Sequence, residues 1–180
     1  MAEEYLDVVD ENNLVIGREE RGIIHRTGQW HRGVHIFLFT PERKLLVQQR
    51  SLQQLSPNML DCSVSEHLKA GESYPSAARR GLWEELGIAQ ISLKQILQFK
   101  MNYGPNDNII STLYEGTVDR EKIIIDSNEV SRIMYYSLPQ LEELSARGEA
   151  SFSRWLLQLL LWYWGKPSDI QIISKQQESK

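Results

Sequence analysis

Ser73 to Gly87 constrains the fold of this chain more than any other segment. Ser73 can accept one of the free amides at a helix start, Pro75 has its φ preset for the first turn, and Gly87 supplies a stop. These signals predict a helix over about residues 74–86. Ala78, Leu82 and Leu86 recur at i, i+4 and i+8 and form its buried stripe. Gly81, Glu84 and Glu85, at i, i+3 and i+4, are expected on one face turned away from that stripe. Adjacent glutamates on a helix are ordinarily a solvated surface, but they are also what a hard divalent cation needs, because magnesium prefers carboxylate oxygens and keeps part of its shell for phosphates.

The flanking sequence reads as a mixed α/β chain. Tyr5–Val9 and Leu14–Gly17 around the polar turn 10–13 predict an opening hairpin. The apolar run Val34–Phe39, the turn Pro41–Lys44 and Leu45–Val47 predict a second one, and these strands look central to a sheet. A polar loop over 51–58 precedes a short strand over 60–64. Further strands are expected near 94–103 and 108–117, around the turn Gly104–Asp107, and near 132–137. Helices are expected over 139–146 and about 152–164, with a polar tail from about Ser174. No internal repeat or linker divides residues 1–180, and 41% hydrophobic content suffices for one core, so a single domain is expected.

Charge and cysteine content narrow the function classes. A formal net charge of −4 lacks the basic excess of proteins that bind nucleic acid or anionic membrane unspecifically, so neither partner is expected. The N-terminus has neither the basic start nor the apolar core of a signal peptide, and Cys62 is the single cysteine, so the chain reads as cytoplasmic. The apolar stretch Trp155–Trp164 is far shorter than the roughly 20 residues that cross a bilayer. It reads as a core helix or a homodimer-packing face.

Residues 66–88 as a whole resemble the signature of the Nudix family: a Gly, five residues, Glu, seven residues, Arg-Glu, an apolar residue, any residue, Glu-Glu, any residue, Gly and an apolar residue. Glu72, Arg80, Leu82, Glu84, Glu85, Gly87 and Ile88 fall in register. The resemblance implies an α/β/α sandwich with a mixed sheet, a small-molecule diphosphate substrate, and Mg2+ or Mn2+ on Glu84 and Glu85. It also implies an ion pair from Glu72 to Arg80 that ties the loop to the helix. Such an ion neutralises a diphosphate and activates an attacking water.

Two positions depart from the signature. Its first Gly is Glu66 here, and its Arg-Glu is Arg80-Gly81, which removes one of three expected carboxylates and puts a residue costing about 1 kcal/mol inside a helix. Glu66 on the adjoining loop could supply a replacement metal oxygen, and Glu129 stands where family members often carry an accessory catalytic glutamate. Read the other way, Gly81 marks a non-catalytic diphosphate-binding module, in which Gly81→Glu would raise activity.

A branch of the same fold, isopentenyl-diphosphate isomerase, also lacks the Arg-Glu pair. His25, His31 and His67 fall near the three histidines that bind a metal there, and Gln49-Arg50-Ser51 with Pro57 resembles its second-hairpin region. Against this reading, the isomerase's catalytic cysteine aligns with Ser65, and its carboxylates near the 108 strand align with Asn106 and Asn108. Cys62, three positions from Ser65 along a strand, is expected on the opposite face. For substrate binding, Arg32, Arg50, His67 and Lys69, with Arg26, are candidates to hold phosphates by charge-assisted hydrogen bonds. Trp30 could stack on a base or cover the core. The reading is magnesium-dependent cleavage of the diphosphate bond of a nucleoside diphosphate linked to another group.

Overall fold

The structure, a computed structural model, describes residues 4–54, 56–119 and 123–175. Tyr5–Val9 (β1) and Val15–Glu20 (β2) pair antiparallel as a ribbon of their own, and the Asp10 carboxylate closes their turn on the amides of Asn12 and Leu14. Arg21–Thr27 (α1) follows and stops at Gly28, whose φ of 72° is the left-handed conformation a helix end requires.

The main sheet comprises His31–Phe39 (β3), Leu45–Arg50 (β4), Leu60–Asp61 (β5), Val64–His67 (β6), Leu93–Asn102 (β7), Asn108–Thr117 (β8), Val130–Tyr136 (β9) and Gln171–Lys175 (β10). Its order is β10-β7-β8-β3-β4-β5, with β6 also on β3 and β9 on β4. β3 and β8 run parallel and the other pairs antiparallel, so the sheet is mixed.

The pleat of β3 feeds two cores. Val34, Ile36 and Leu38 pack with Val64 of β6 and with Ala78, Leu82 and Leu86 of the helix Tyr74–Leu86 (α2). Phe37 and Phe39 pack on the other face with Leu141 of Leu138–Arg147 (α3) and Leu156, Leu159 and Leu160 of Arg154–Tyr163 (α4). Both faces of β3 are therefore buried, which is why its run Val34–Phe39 is apolar at every position but His35 rather than alternating. Helices on both faces make the α/β/α sandwich that the resemblance implied. Trp162 and Trp164 pack partly buried against the second core.

The helix frame of α2 follows from its caps: Ser73 Oγ accepts from the Ser76 amide, Pro75 lies in the first turn, and Gly87 has φ 66°. Several expected boundaries move. The strands of the second hairpin pair only at Phe39↔Leu45, because β6 and β8 occupy the two edges of β3 and turn β4 toward β5 and β9. The strand expected over 60–64 is split at Cys62–Ser63 into β5 and β6. Ser174 and Lys175, expected to open a polar tail, belong instead to β10, which pairs with β7; residues 176–180 lie outside the described residues. Among the described residues no helix is long and apolar enough to cross a membrane.

Candidate functional site

A cleft of 590 Å³, within the range of small-molecule sites, opens where α1, β6, α2 and the β7–β8 turn meet. Strand alternation sorts what reaches it. Ser65 and His67 of β6 pair across from His35 and Gly33 of β3 and share one face, whereas Val64 and Glu66 face α2. The same alternation turns Arg32 away from the cleft: its guanidinium binds Asn13 and lies over the Tyr74 ring. Of the expected phosphate contacts, Arg50, His67 and Lys69 line the cleft and Arg32 and Arg26 do not; Arg21, unremarked in the sequence, does. Trp30 lies under the ammonium of Lys100 and is not among the residues lining the cleft.

On the α2 side, Glu66, Glu85 and Glu129 each bring one carboxylate oxygen to within 4.8 Å of the others. They come from three elements: β6, α2 and the loop before β9. Glu85 is only 4% exposed; Gln48 donates to its Oε2, and its Oε1 has no partner. Burial, then the charges of Glu66, Glu129 and Asp61, push the Glu85 carboxyl well above the carboxylate range, although the Gln48 bond opposes them. Burial likewise pushes Glu66 up to about 7 against the pull of Arg80, and raises Glu129. One buried and two partly buried acids whose charged forms are disfavoured are what a divalent cation would relieve.

Glu84, expected beside Glu85 on one face, lies about a quarter-turn round the helix. It is half exposed and paired with Arg80 at 2.9 Å and Lys69 at 3.8 Å, outside the carboxylate group. Gly81 and Glu85 are the inward pair. Arg80 holds the corner together: Nε and Nη2 bind both oxygens of Glu72 at 3.1 and 3.0 Å, Nη1 binds Glu66 and Glu84, and Nη2 also binds the His67 carbonyl at 2.7 Å.

On the other face, His25, His31 and His67 form a second group, with ring centroids 4.9 to 5.2 Å apart. Asp107 completes it, its Oδ1 lying 3.3 Å from His25 Nδ1 and 3.7 Å from His31 Nε2. His31 Nδ1 donates to the Gln29 carbonyl at 3.1 Å, which leaves Nε2 as the lone-pair nitrogen facing the group. His31 Nε2, His67 Nε2 and Asp107 Oδ1 are buried without hydrogen-bond partners. Burial lowers His31 to about 4 and holds His67 well below the ordinary histidine value, which favours the neutral ring, the form that ligates metal. Asn106 and Asn108 do not reach this group. Their amides bind the carbonyls of Arg26 and Gly28 and dock the end of α1, and the carboxylate between them, read in the sequence only as turn, is the one delivered.

The cleft floor is built on Asp61, 2% exposed, which accepts from the Cys62 amide, Ser65, Ser153, the Trp155 indole and Arg50. His35 joins Ser65 at 3.0 Å to the Tyr103 hydroxyl at 2.6 Å. Cys62 does not face away from Ser65: its Sγ lies 3.9 Å from the same His35 nitrogen, because the break between β5 and β6 cancels the alternation. It is fully buried, and burial pushes its thiol well up, so it offers no acid to the cleft.

These shifts predict a pH signature in the metal-free protein. Glu66 rises from 4.5 to about 7 on folding, so between those values the folded state binds more protons and its stability falls as pH rises. The lowered histidines act oppositely, so the signature lies in a difference. Glu66→Gln should gain stability over the wild type progressively from about pH 4.5 to about pH 7 and hold the gain above, read as urea midpoints with chelator present. A gain independent of pH would contradict the shift.

The family model described as NUDIX domain matches residues 29–156. An uncharacterized Nudix hydrolase of Clostridium acetobutylicum is 42% identical over 92 residues, 49% of this chain and 44% of that protein. The isopentenyl-diphosphate Delta-isomerase of Streptomyces coelicolor is 32% identical over 162 residues, 86% of this chain and 81% of the isomerase. The crystal structure of DR0079 from Deinococcus radiodurans is similar with a TM-score of 0.74 at 29% identity, covering 87% of this chain and 97% of that one.

Proposed function

The chain belongs to the Nudix family, and on that premise we propose that it is a metal-dependent hydrolase of small-molecule diphosphates, acting on a nucleoside diphosphate linked to another group. The observation that carries this reading is the unpartnered, buried oxygen of Glu85, grouped with Glu66 and Glu129, which line a cleft that Arg21, Arg50, Lys69 and Arg80 also line. An all-oxygen carboxylate set suits Mg2+ or Mn2+, with Glu66 and Glu85 as ligands and Glu84 beside them on the rim. The ion would neutralise the diphosphate and lower the pKa of a bound water.

The chain's own groups supply the rest. Arg50 and Lys69 hold phosphate oxygens, Glu129 stands within reach of the carboxylate group as a proton acceptor, and Arg80 fixes Glu66. The test is a panel of nucleoside diphosphate derivatives with Mg2+ or Mn2+ and an EDTA control. Release of nucleoside monophosphate or phosphate is expected, and none across the panel would overturn the reading.

A second reading, isomerisation of an isoprenoid diphosphate, is favoured by the group of His25, His31, His67 and Asp107, whose nitrogen-rich set suits a transition ion. It is opposed by Ser65, a far weaker acid than a thiol. Deuterium uptake into isopentenyl diphosphate in heavy water would establish it, and the hydrolase reading expects none.

A further inference from the structure

We propose that Glu66 is the carboxylate that position 81 lacks, delivered from strand β6 instead of helix α2, and that the two arrangements exclude one another. The inference rests on the metal-dependent reading above and assigns one residue of it. A Cβ placed on Gly81 would stand 2.7 Å from Glu66 Cγ and 2.7 Å from Val64 Cγ1, distances that real Cβ atoms do not show. Val64 is fully buried among Ala78, Leu82 and Leu86 and has nowhere to go. The helix therefore lies against β6 at a separation that only glycine allows, and the stem of Glu66 fills the volume a side chain at 81 would use.

From that position Glu66 carries its carboxylate to the place the helix no longer serves. Its Oε2 is 2.9 Å from Arg80 Nη1, and an oxygen lies within 4.8 Å of those of Glu85 and Glu129. Glu85 Oε1, buried and unpartnered, points to a ligand there independently of the acidic cluster. The two departures from the family signature, Glu at 66 and Gly at 81, are thus one change. Either residue alone would be a defect: glycine at both positions leaves two carboxylates, and glutamate at both collides.

The test is calorimetric titration of the full chain with Mg2+ alone at pH 8.5, since the nitrogen-rich histidine group discriminates against Mg2+. Glu66→Gln is expected to weaken Mg2+ binding by about tenfold or more. Gly81→Glu in the otherwise unchanged chain should bind no more tightly than wild type and melt at a lower temperature. Combining Val64→Ala, Glu66→Gly and Gly81→Glu, which clears both contacts and returns the carboxylate to the helix, should bring affinity back toward wild type. Circular dichroism checks that each variant is folded, and Glu66→Asp, which keeps the charge, should bind better than Glu66→Gln.

Wild-type affinity in folded Glu66→Gln, or tighter binding in Gly81→Glu, would overturn the relocation. A wild-type chain that takes up no Mg2+ would overturn it together with Mg2+ as the ion of the hydrolase reading. Mg2+ binding that depends on Glu66 in a chain that cleaves no diphosphate would instead leave the relocation standing and remove the hydrolase.

Discussion

Glu85→Gln is expected to lower metal-dependent diphosphate hydrolysis by about a thousandfold while leaving the thermal midpoint of the metal-free protein unchanged or higher. The two halves have one cause. Glu85 is buried, its charged form is disfavoured by burial and by Glu66, Glu129 and Asp61, and one oxygen has no hydrogen bond. A glutamine of the same shape keeps an acceptor for Gln48 and removes the disfavoured charge, so folding loses nothing. An ion held by Glu66 and Glu85, by contrast, loses a charged ligand. Metal-assisted charge stabilisation contributes several kcal/mol to such a transition state, and about 4 kcal/mol corresponds to about three factors of ten. The measurement is steady-state hydrolysis at saturating metal beside a melting curve in EDTA. Activity within tenfold of wild type would remove Glu85 from the chemistry, and a large drop in the metal-free midpoint would make its role structural.

The part of this site carried by local sequence was legible. Ser73, Pro75 and Gly87 cap α2 within its own fifteen residues, and Glu72 and Arg80 are close enough in the chain for spacing to bring them together. What failed was whatever depends on sheet pairing. Arg32 was expected to hold phosphate from a strand end near the site, yet the pleat of β3 sends it to the face opposite His31, where it binds Asn13. Cys62 and Ser65 were separated by an alternation that the β5–β6 break does not keep. Glu84 was placed beside Glu85 because i, i+3 and i+4 positions neighbour one another, but only Gly81 and Glu85 meet the sheet.

Other elements gave too little signal. α1 is seven residues long and buries a single side chain, Ile24, so it has no apolar period to read. β10 is exposed along its whole length and shows no alternation. Asp107 sits in a segment whose glycine, proline and asparagines speak for a turn, and its approach to His25 and His31 depends on how that turn docks against α1 through Asn106 and Asn108. The exchange between Glu66 and Gly81 was visible as two anomalies; only the contact between β6 and α2 makes them one.

Asp61 was absent from every sequence motif, and its replacement should have the largest effect on stability. Asp61→Ala removes the acceptor for five donors at once, among them Arg50, with which it forms an ion pair buried to 16% and 3% side-chain exposure. Breaking such a pair from one side costs about 3–5 kcal/mol. For a chain of this size that is a fall in melting temperature of roughly 6–20 °C. Asp61→Asn separates the structural part from the functional one. Its remaining oxygen can still serve Cys62, Ser65, Ser153 and Trp155, all of which bind Oδ1, but its amide then faces the Arg50 guanidinium, donor against donor. Arg50, which lies over the Trp155 ring, loses the partner that aims it into the cleft. If Arg50 holds a phosphate in ground state and transition state alike, Asp61→Asn should raise KM for the diphosphate several-fold with kcat little changed, and should melt between wild type and Asp61→Ala. An unchanged KM would mean that Asp61 supports the fold of the cleft floor without aiming Arg50 at substrate.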